Sequence, residues 1–212
     1  MVVIILKVKI KKEYKDFLLD KEWQVDKGEI ISLFGPSGSG KSLTIQAITG
    51  LISPDEGFVK IEDQYIFHKQ KKISLAVKDR EIGYVPQNYG LFPHLKVHQN
   101  IAFGMSKKES KKIRETKIDD LLRKVGLENK KDRYPDQISG GEKQRVAILR
   151  ALATNPKVLL LDEPFSALDS DIRRVLREEI KAFLKMWNIP VVLVTHDQED
   201  LNALATKIVN YH

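Results

Sequence analysis

No cysteine occurs among the 212 residues. That excludes a disulfide framework, a thiolate metal site and a cysteine nucleophile, and it fits a reducing compartment. Long apolar runs are also missing. The opening run, Met1 to Leu6, is too short for a secretory leader and has no basic segment before it. Nothing approaches the ~20 consecutive apolar residues of a membrane span. If the function involves a membrane, another chain must provide the spans. There is no internal repeat and no low-complexity linker.

Hydrophobic residues make up 42% of the chain and charged residues 31%, the balance of an ordinary globular protein. The length suits one sizeable domain or two small ones. A formal net charge of +7 would suit nucleic acid, an anionic membrane surface or a nucleotide. The lysine runs, 69–72 and 107–112, lack the interleaved aromatics of a single-strand binding surface. A solvated lysine-rich surface accounts for them, and nucleic acid is not an expected partner.

Three short apolar runs read as strands covered on both faces: Glu29 to Phe34, Val158 to Leu161, and Pro190 to Thr195. Helical stripes lie between them. Leu43, Ala47, Ile48 and Leu51 share a face, as do Ile118, Leu121, Leu122 and Val125, with Gly126 placed to stop the second helix. A third stripe holds Ile172, Val175, Leu176, Phe183, Leu184 and Trp187. Strands alternating with helices predict an α/β fold with a mostly parallel sheet. Leu6 to Val25 and Phe58 to Phe67 read as an antiparallel β portion, and roughly 88–150 as an inserted helical lobe.

The first strand runs into Gly35-Pro36-Ser37-Gly38-Ser39-Gly40-Lys41-Ser42, which fits G-x-x-x-x-G-K-[ST] with a strand before it and a helix after it. Triphosphate oxygens need many donors at close range. Glycines let successive backbone N–H groups point inward, and the following helix adds its dipole. Lys41 supplies a cation for the β- and γ-phosphates, and the Ser42 hydroxyl a ligand for Mg²⁺. A bare glycine turn would explain neither the lysine nor the serine.

Asp162 and Glu163 end the second strand. A strand beside the phosphate loop puts Asp162 near the metal. Neighbouring strand residues diverge, so Glu163 is expected at the water that attacks the γ-phosphate. His196 follows the third strand, whose end faces the same ligand edge of the sheet. Ile138-Ser139-Gly140-Gly141-Glu142 opens a helix. Ser139 and Glu142 form a capping box, but that does not explain two intervening glycines, which bare the helix N-terminus to an anion.

With these residues in this order, the chain resembles the ATP-binding cassette (ABC) ATPases over nearly its whole length. Tyr84-Val85-Pro86-Gln87 matches the family's Q-loop, Ser139 to Glu142 its signature, and Ser166-Ala167-Leu168-Asp169 its D-loop. The resemblance implies a P-loop NTPase core forming one domain over 1–212, without a C-terminal regulatory domain. It implies ATP and Mg²⁺ as ligands, with Glu163 as general base and His196 and Gln87 holding the attacking water. Ser42, Gln87 and Asp162 would serve the metal. It also implies a head-to-tail dimer, in which one copy's phosphate loop and the other's Ser139, Gly140, Gly141 and Asp169 share the nucleotide. Tyr14 is the expected adenine-stacking aromatic, with Phe17 in the core.

The stretch from Arg80 to Gly104 is similar to importer ATPases, and with the short N-terminal portion, Ile61 to Asp79 and the run Gly140 to Ile148 the chain resembles most of all those for molybdate or tungstate. Sulfate, iron, polyamine, thiamine or a sugar are the alternatives. The expected setting is then the cytoplasmic face of the membrane, peripheral, with permease subunits and indirectly a solute-binding protein. Leu91, Phe92 and Pro93 would suit a groove for a permease helix. A soluble relative, as in iron–sulfur assembly, is the competing reading. The arm of the DNA-repair relatives does not fit between Ser42 and Ser139.

Overall fold

The computed structural model describes residues 4–105, 109–166 and 170–212, the side chains of 170–172 excepted. Two five-stranded sheets organise them. The parallel sheet is built from the apolar runs, β3 (Ile30–Phe34), β8 (Val158–Asp162) and β9 (Val191–Thr195), with β7 (Ile82–Val85) and β10 (Lys207–Asn210) at its edges. Its order is β10-β3-β9-β8-β7. Every residue of β8 and β9 is buried, as continuous Val/Leu runs require when both faces are covered.

The antiparallel sheet contains β1 (Ile4–Tyr14), β2 (Phe17–Asp26), β4 (Glu56–Ile61), β5 (Gln64–His68) and β6 (Ile73–Ser74), in the order β2-β1-β4-β5-β6. Alternation along β1 turns Leu6, Val8 and Ile10 inward and leaves the intervening lysines on the other face. These inward residues pack with α1 (Lys41–Thr49) and with one face of the parallel sheet, through Ile31, Leu33, Leu160 and Val192. The other sheet face, through Ile30, Leu159, Leu161 and Leu193, packs on the helices.

Those helices are α2 (Val97–Phe103), α3 (Lys111–Lys124), α4 (Gly140–Leu152), α5 (Ser170–Trp187) and α6 (Gln198–Leu204). The first three lie between β7 and β8, inside the segment read as a helical lobe. Gly126 follows α3 with φ 66°, the left-handed stop its position foretells. Two residues leave their expected stripes. Leu51 lies beyond the end of α1 and is 59% exposed, because Gly50 closes that helix at φ 87°. Val175 on α5 is also exposed. No helix among the described residues is long and apolar enough to cross a membrane.

Candidate active site

The phosphate loop joins β3 to α1 and curls around its own lysine. Lys41 Nζ donates to the carbonyls of Gly35 at 2.8 Å and Pro36 at 2.6 Å. Burial pulls its pKa below the ordinary 10.5, against the opposing pull of Glu163 and Asp162. Two of the loop's glycines, Gly35 and Gly40, are steric necessities. Gly35 has φ 156°, and a Cβ there would lie 2.1 Å from the Tyr211 carbonyl oxygen; Gly40 has φ 92°, and its Cβ would meet the Phe17 ring at 2.7 Å. Ser37, Gly38, Lys41 and Ser42 line an open cleft of about 250 Å³ that Glu163 borders from across the sheet edge.

The loop is braced from behind by Tyr211, just past β10. Its ring is buried and its hydroxyl lies 2.9 Å from Thr44 Oγ1, on the first turn of α1. Thr44 also donates to the Gly40 carbonyl at 3.1 Å. Nothing in the spacing of the sequence points to Tyr211.

Asp162 ends β8 almost fully buried, with its Oδ1 accepting from Ser42 Oγ at 3.2 Å and its Oδ2 from Tyr84 Oη at 3.4 Å. Burial raises the Asp162 pKa, with Glu163 adding to it, while Ser42, Tyr84 and Lys41 work the other way. Burial and then the charge of Asp162 push the Tyr84 hydroxyl up to about 12. Ser42 Oγ and Asp162 are hard oxygen donors beside a phosphate loop. That donor set fits Mg²⁺, which takes one or two protein oxygens and fills the rest with water and phosphate.

Glu163 lies one residue past the strand, and its divergence from Asp162 has a sharper cause than strand alternation. Its φ is 45°, a left-handed backbone worth about 1–3 kcal/mol of strain in a residue with a side chain. The strain is held by its N–H donating to Val194 O at 3.0 Å and by Ser166 Oγ donating to its carbonyl at 3.0 Å. The carboxylate then sits between two partners: Gln87 Nε2 donates to Oε2 at 3.0 Å, and His196 Nδ1 lies 3.1 Å from Oε1. Gln87 was expected at the metal as well, but its hydrogen bonds go to Glu163 and Ser166.

His196 follows β9, on a loop tied to α5 and α6. Asp197 caps α6, accepting from the Glu199 and Asp200 amides, and pairs with Arg173 at 2.8 Å. Burial works against its ionised form, yet those amides and the arginines hold its pKa below the ordinary 3.8. Arg177 is buried, with Nε donating to Asp200 at 2.6 Å and Nη1 to Glu199 at 2.6 Å. The sequence reading missed Tyr84, Arg173, Arg177, Thr195 and Asp200. Arg173 and Arg177 stand one helical turn apart, the one signal that they share a face.

The other expected residues lie apart from this cluster. Ser139 is exposed at the start of α4, where it and Glu142 cap the helix reciprocally at 3.3 and 2.8 Å. Neither it nor Gly140 and Gly141 line the phosphate-loop cleft. Tyr14, at the end of β1, is 37% exposed with its ring 6.4 Å from that of Phe17. Phe17, expected in the core, packs against it from a half-buried position and lies over Gly40. Asp169 lies outside the described residues.

A family model described as ABC transporter matches residues 18–166. The chain is 44% identical over 187 residues to a probable sulfate/thiosulfate import ATP-binding protein CysA of Chlorella vulgaris, covering 88% of this chain and 77% of that one. It is 43% identical over 203 residues to the sulfate/thiosulfate import ATP-binding protein CysA of a Synechocystis species, covering 94% and 56%. A third such protein, CysA 2 of Agrobacterium fabrum, is 40% identical, covering 96% and 60%. The chain thus spans little more than half the length of the last two. By name these relatives are sulfate/thiosulfate proteins, so the molybdate or tungstate expectation is not supported.

Among solved structures, cbiO1 of Clostridium perfringens, part of an ABC transporter complex, matches with TM-score 0.85 and 28% identity over 98% of this chain and 84% of that one. An ATP-binding cassette solved as a dimer after hydrolysis, bound to ADP and Pi, matches with TM-score 0.78 and 31% identity over 98% and 94%. The phosphate loop, the carboxylate pair at the sheet edge, the fold and these relatives agree, and the chain belongs to the ABC transporter family as an ATP-binding domain.

Proposed function

We propose that this chain binds ATP with Mg²⁺, hydrolyses it, and powers an importer whose membrane spans come from other chains. The observation that carries the reading is the seat of Glu163. Its carboxylate is fixed between Gln87 and His196, on a strained turn, facing the cleft of the phosphate loop. A carboxylate so placed can take a proton from a water attacking the γ-phosphate. Lys41 would exchange its carbonyl partners for phosphate oxygens. Ser42 and Asp162 would hold Mg²⁺, which when bound neutralises phosphate charge. His196 and Gln87 would orient the water.

The reading extends to assembly. At the start of α4, where Ser139 is exposed and Gly140 half-buried, the glycine amides of the first turn suit an anion, and the phosphate-loop cleft is open on one side. A second copy, packed head to tail and bringing Asp169 with its signature, would complete the nucleotide site. The Phe92 and Phe103 rings lie 4.5 Å apart, with Phe103 66% exposed and Pro93 exposed. That apolar step suits a permease helix. The chain would then work peripherally at the cytoplasmic face, with a solute-binding protein acting indirectly. The names of the relatives favour sulfate or thiosulfate as cargo.

Two experiments test this. Glu163→Gln should keep its nucleotide affinity and lose turnover by about 10²-fold or more, and unchanged turnover would refute the assigned base. Tagged protein purified from detergent-solubilised membranes of its host should bring down a polytopic permease. Recovery with non-membrane partners alone would sink the transport half of the reading.

A further inference from the structure

His196 is held from behind, not by its own ring. The imidazole side chain is 52% exposed, and its polar contact is the Glu163 carboxylate. Its two neighbours in the chain are fixed by their side chains. Thr195 Oγ1 donates to Asp200 Oδ2 at 2.9 Å and accepts from the Asp197 N–H at 3.0 Å. Asp197 Oδ2 meets Arg173 at 2.8 Å and Arg177 at 3.4 Å.

These contacts converge on Arg177, whose side chain is 5% exposed. All three of its nitrogens face carboxylates at the start of α6: Nε faces Asp200, Nη1 faces Glu199 and Nη2 faces Asp197. A planar guanidinium fixes such a set in direction as well as distance, which a lysine cannot do.

A network of this kind is a poor way to gain stability. Desolvating the charges offsets most of their attraction, and apolar residues of similar volume would serve the fold as well. What it gives is one geometry. The geometry it sets is that of residues 195–197, and the group those residues carry is the imidazole on Glu163. The network also leaves the apolar stripe of α5 free to pack, since Leu176, Ile180, Phe183 and Leu184 are buried among the helices.

We infer that Arg177, with Asp200 and Thr195, forms a positioning unit that holds His196 against Glu163. The inference rests on the proposed ATPase reading for its kinetic consequence, and on the geometry alone for its structural one. None of the three residues needs to touch nucleotide. Losing the unit displaces the imidazole, while the phosphate loop keeps its own braces, Thr44 on the Gly40 carbonyl and Tyr211 on Thr44.

The test is a cycle of variants read in two ways. Arg177→Met keeps the length of the side chain and removes the fork; Arg177→Lys restores only the charge. In steady-state ATP turnover, Arg177→Met should lower kcat by about 10- to 100-fold, the loss expected of misplaced groups. KM for ATP should stay within about twofold, and Arg177→Lys should fail to rescue. His196→Ala should cost roughly 10²-fold in the wild type but less than about twofold when added to Arg177→Met, because both changes remove one arrangement. Losses that multiply, or a kcat unchanged in Arg177→Met, overturn the inference.

The second reading needs no turnover. In nuclear magnetic resonance spectra, Glu163→Gln should move the His196 imidazole resonances in the wild type and leave them in place in Arg177→Met. An equal response in both overturns the inference even if the wild type proves inactive, a result that would count separately against the ATPase reading. If Arg177→Met does not fold, Thr195→Val, which removes only the hydroxyl link, carries the same two measurements with the same outcomes.

Discussion

Replacing Tyr211 tests whether the phosphate loop depends on a residue far from it in sequence. The ring is 1% exposed, so Tyr211→Ala deletes a buried aromatic, at about 3–5 kcal/mol. It also deletes the hydrogen bond to Thr44, worth about 1 kcal/mol. Thr44 keeps the Gly40 carbonyl as a partner, so no orphaned donor adds to the loss. A total near 4–6 kcal/mol, at about 2–4 °C per kcal/mol for a chain of this size, lowers Tm by about 8–24 °C. Tyr211→Phe keeps the ring, including its place beneath Lys21 Nζ at 4.3 Å, and should lower Tm by only about 2–4 °C. Thermal and urea unfolding followed by circular dichroism, without nucleotide, measure both. Nucleotide affinity should fall with Tyr211→Ala and hold with Tyr211→Phe. A Tyr211→Ala protein within about 1 kcal/mol of wild type, or a Phe variant as damaged as the Ala variant, would refute the argument.

Lys41→Ala removes both the cation offered to phosphate and the tether to the Gly35 and Pro36 carbonyls. Affinity for a fluorescent ATP analogue should fall by at least about tenfold, the change of a single charged hydrogen bond at about 1.5–3 kcal/mol; normal affinity would show that the loop does not bind phosphate. Glu142→Gln tests the cap of α4. Burial works to raise the Glu142 pKa, but the Ser139 amide and the Lys130 ammonium hold it below its ordinary 4.5. With the folded value depressed, its contribution is present above pH 4.5 and is lost as the pH falls through the folded value. A glutamine still caps, so Glu142→Gln should leave stability at pH 7 within about 1 kcal/mol and lose less than wild type between pH 5 and 3, an acid range set by carboxylate titration. Equal acid sensitivity in urea unfolding at the two pH values would remove Glu142 from the account.

The parts of this molecule legible in its sequence are those whose physics is local or periodic. β3, β8 and β9 announce themselves because a strand covered on both faces is a nearly continuous apolar run. The phosphate loop is legible because its glycines, lysine and serine answer one local demand at one spacing. The edge strands of the parallel sheet, β7 and β10, were not foreseen. β10 leaves Lys207, Ile208 and Asn210 exposed, and a four-residue strand with one half-buried side chain has no pattern to read. Leu51 and Val175 mislead for the opposite reason, since a helical stripe continues in the sequence after the structure has ended it or turned it outward.

The site divides along the same line. Asp162, Glu163 and His196 each follow an apolar strand, so strand position brings them to one edge. What fixes their directions was not legible. Glu163 owes its aim to a positive φ no glycine advertises, and Tyr84 owes its contact with Asp162 to the pairing of β7 with β8. Arg177 sits more than twenty residues before Asp200, and only its spacing from Arg173 sets it apart from the exposed Arg174 until the loop folds over it. The residues that carry chemistry are constrained one by one and leave a mark in the sequence. Those that orient them are constrained in pairs across the fold, and the mark appears only when both partners are seen together. Hence the most informative substitutions here lie behind the sheet edge, at Arg177 and Thr195, where loss of function with nucleotide binding kept would separate orientation from contact.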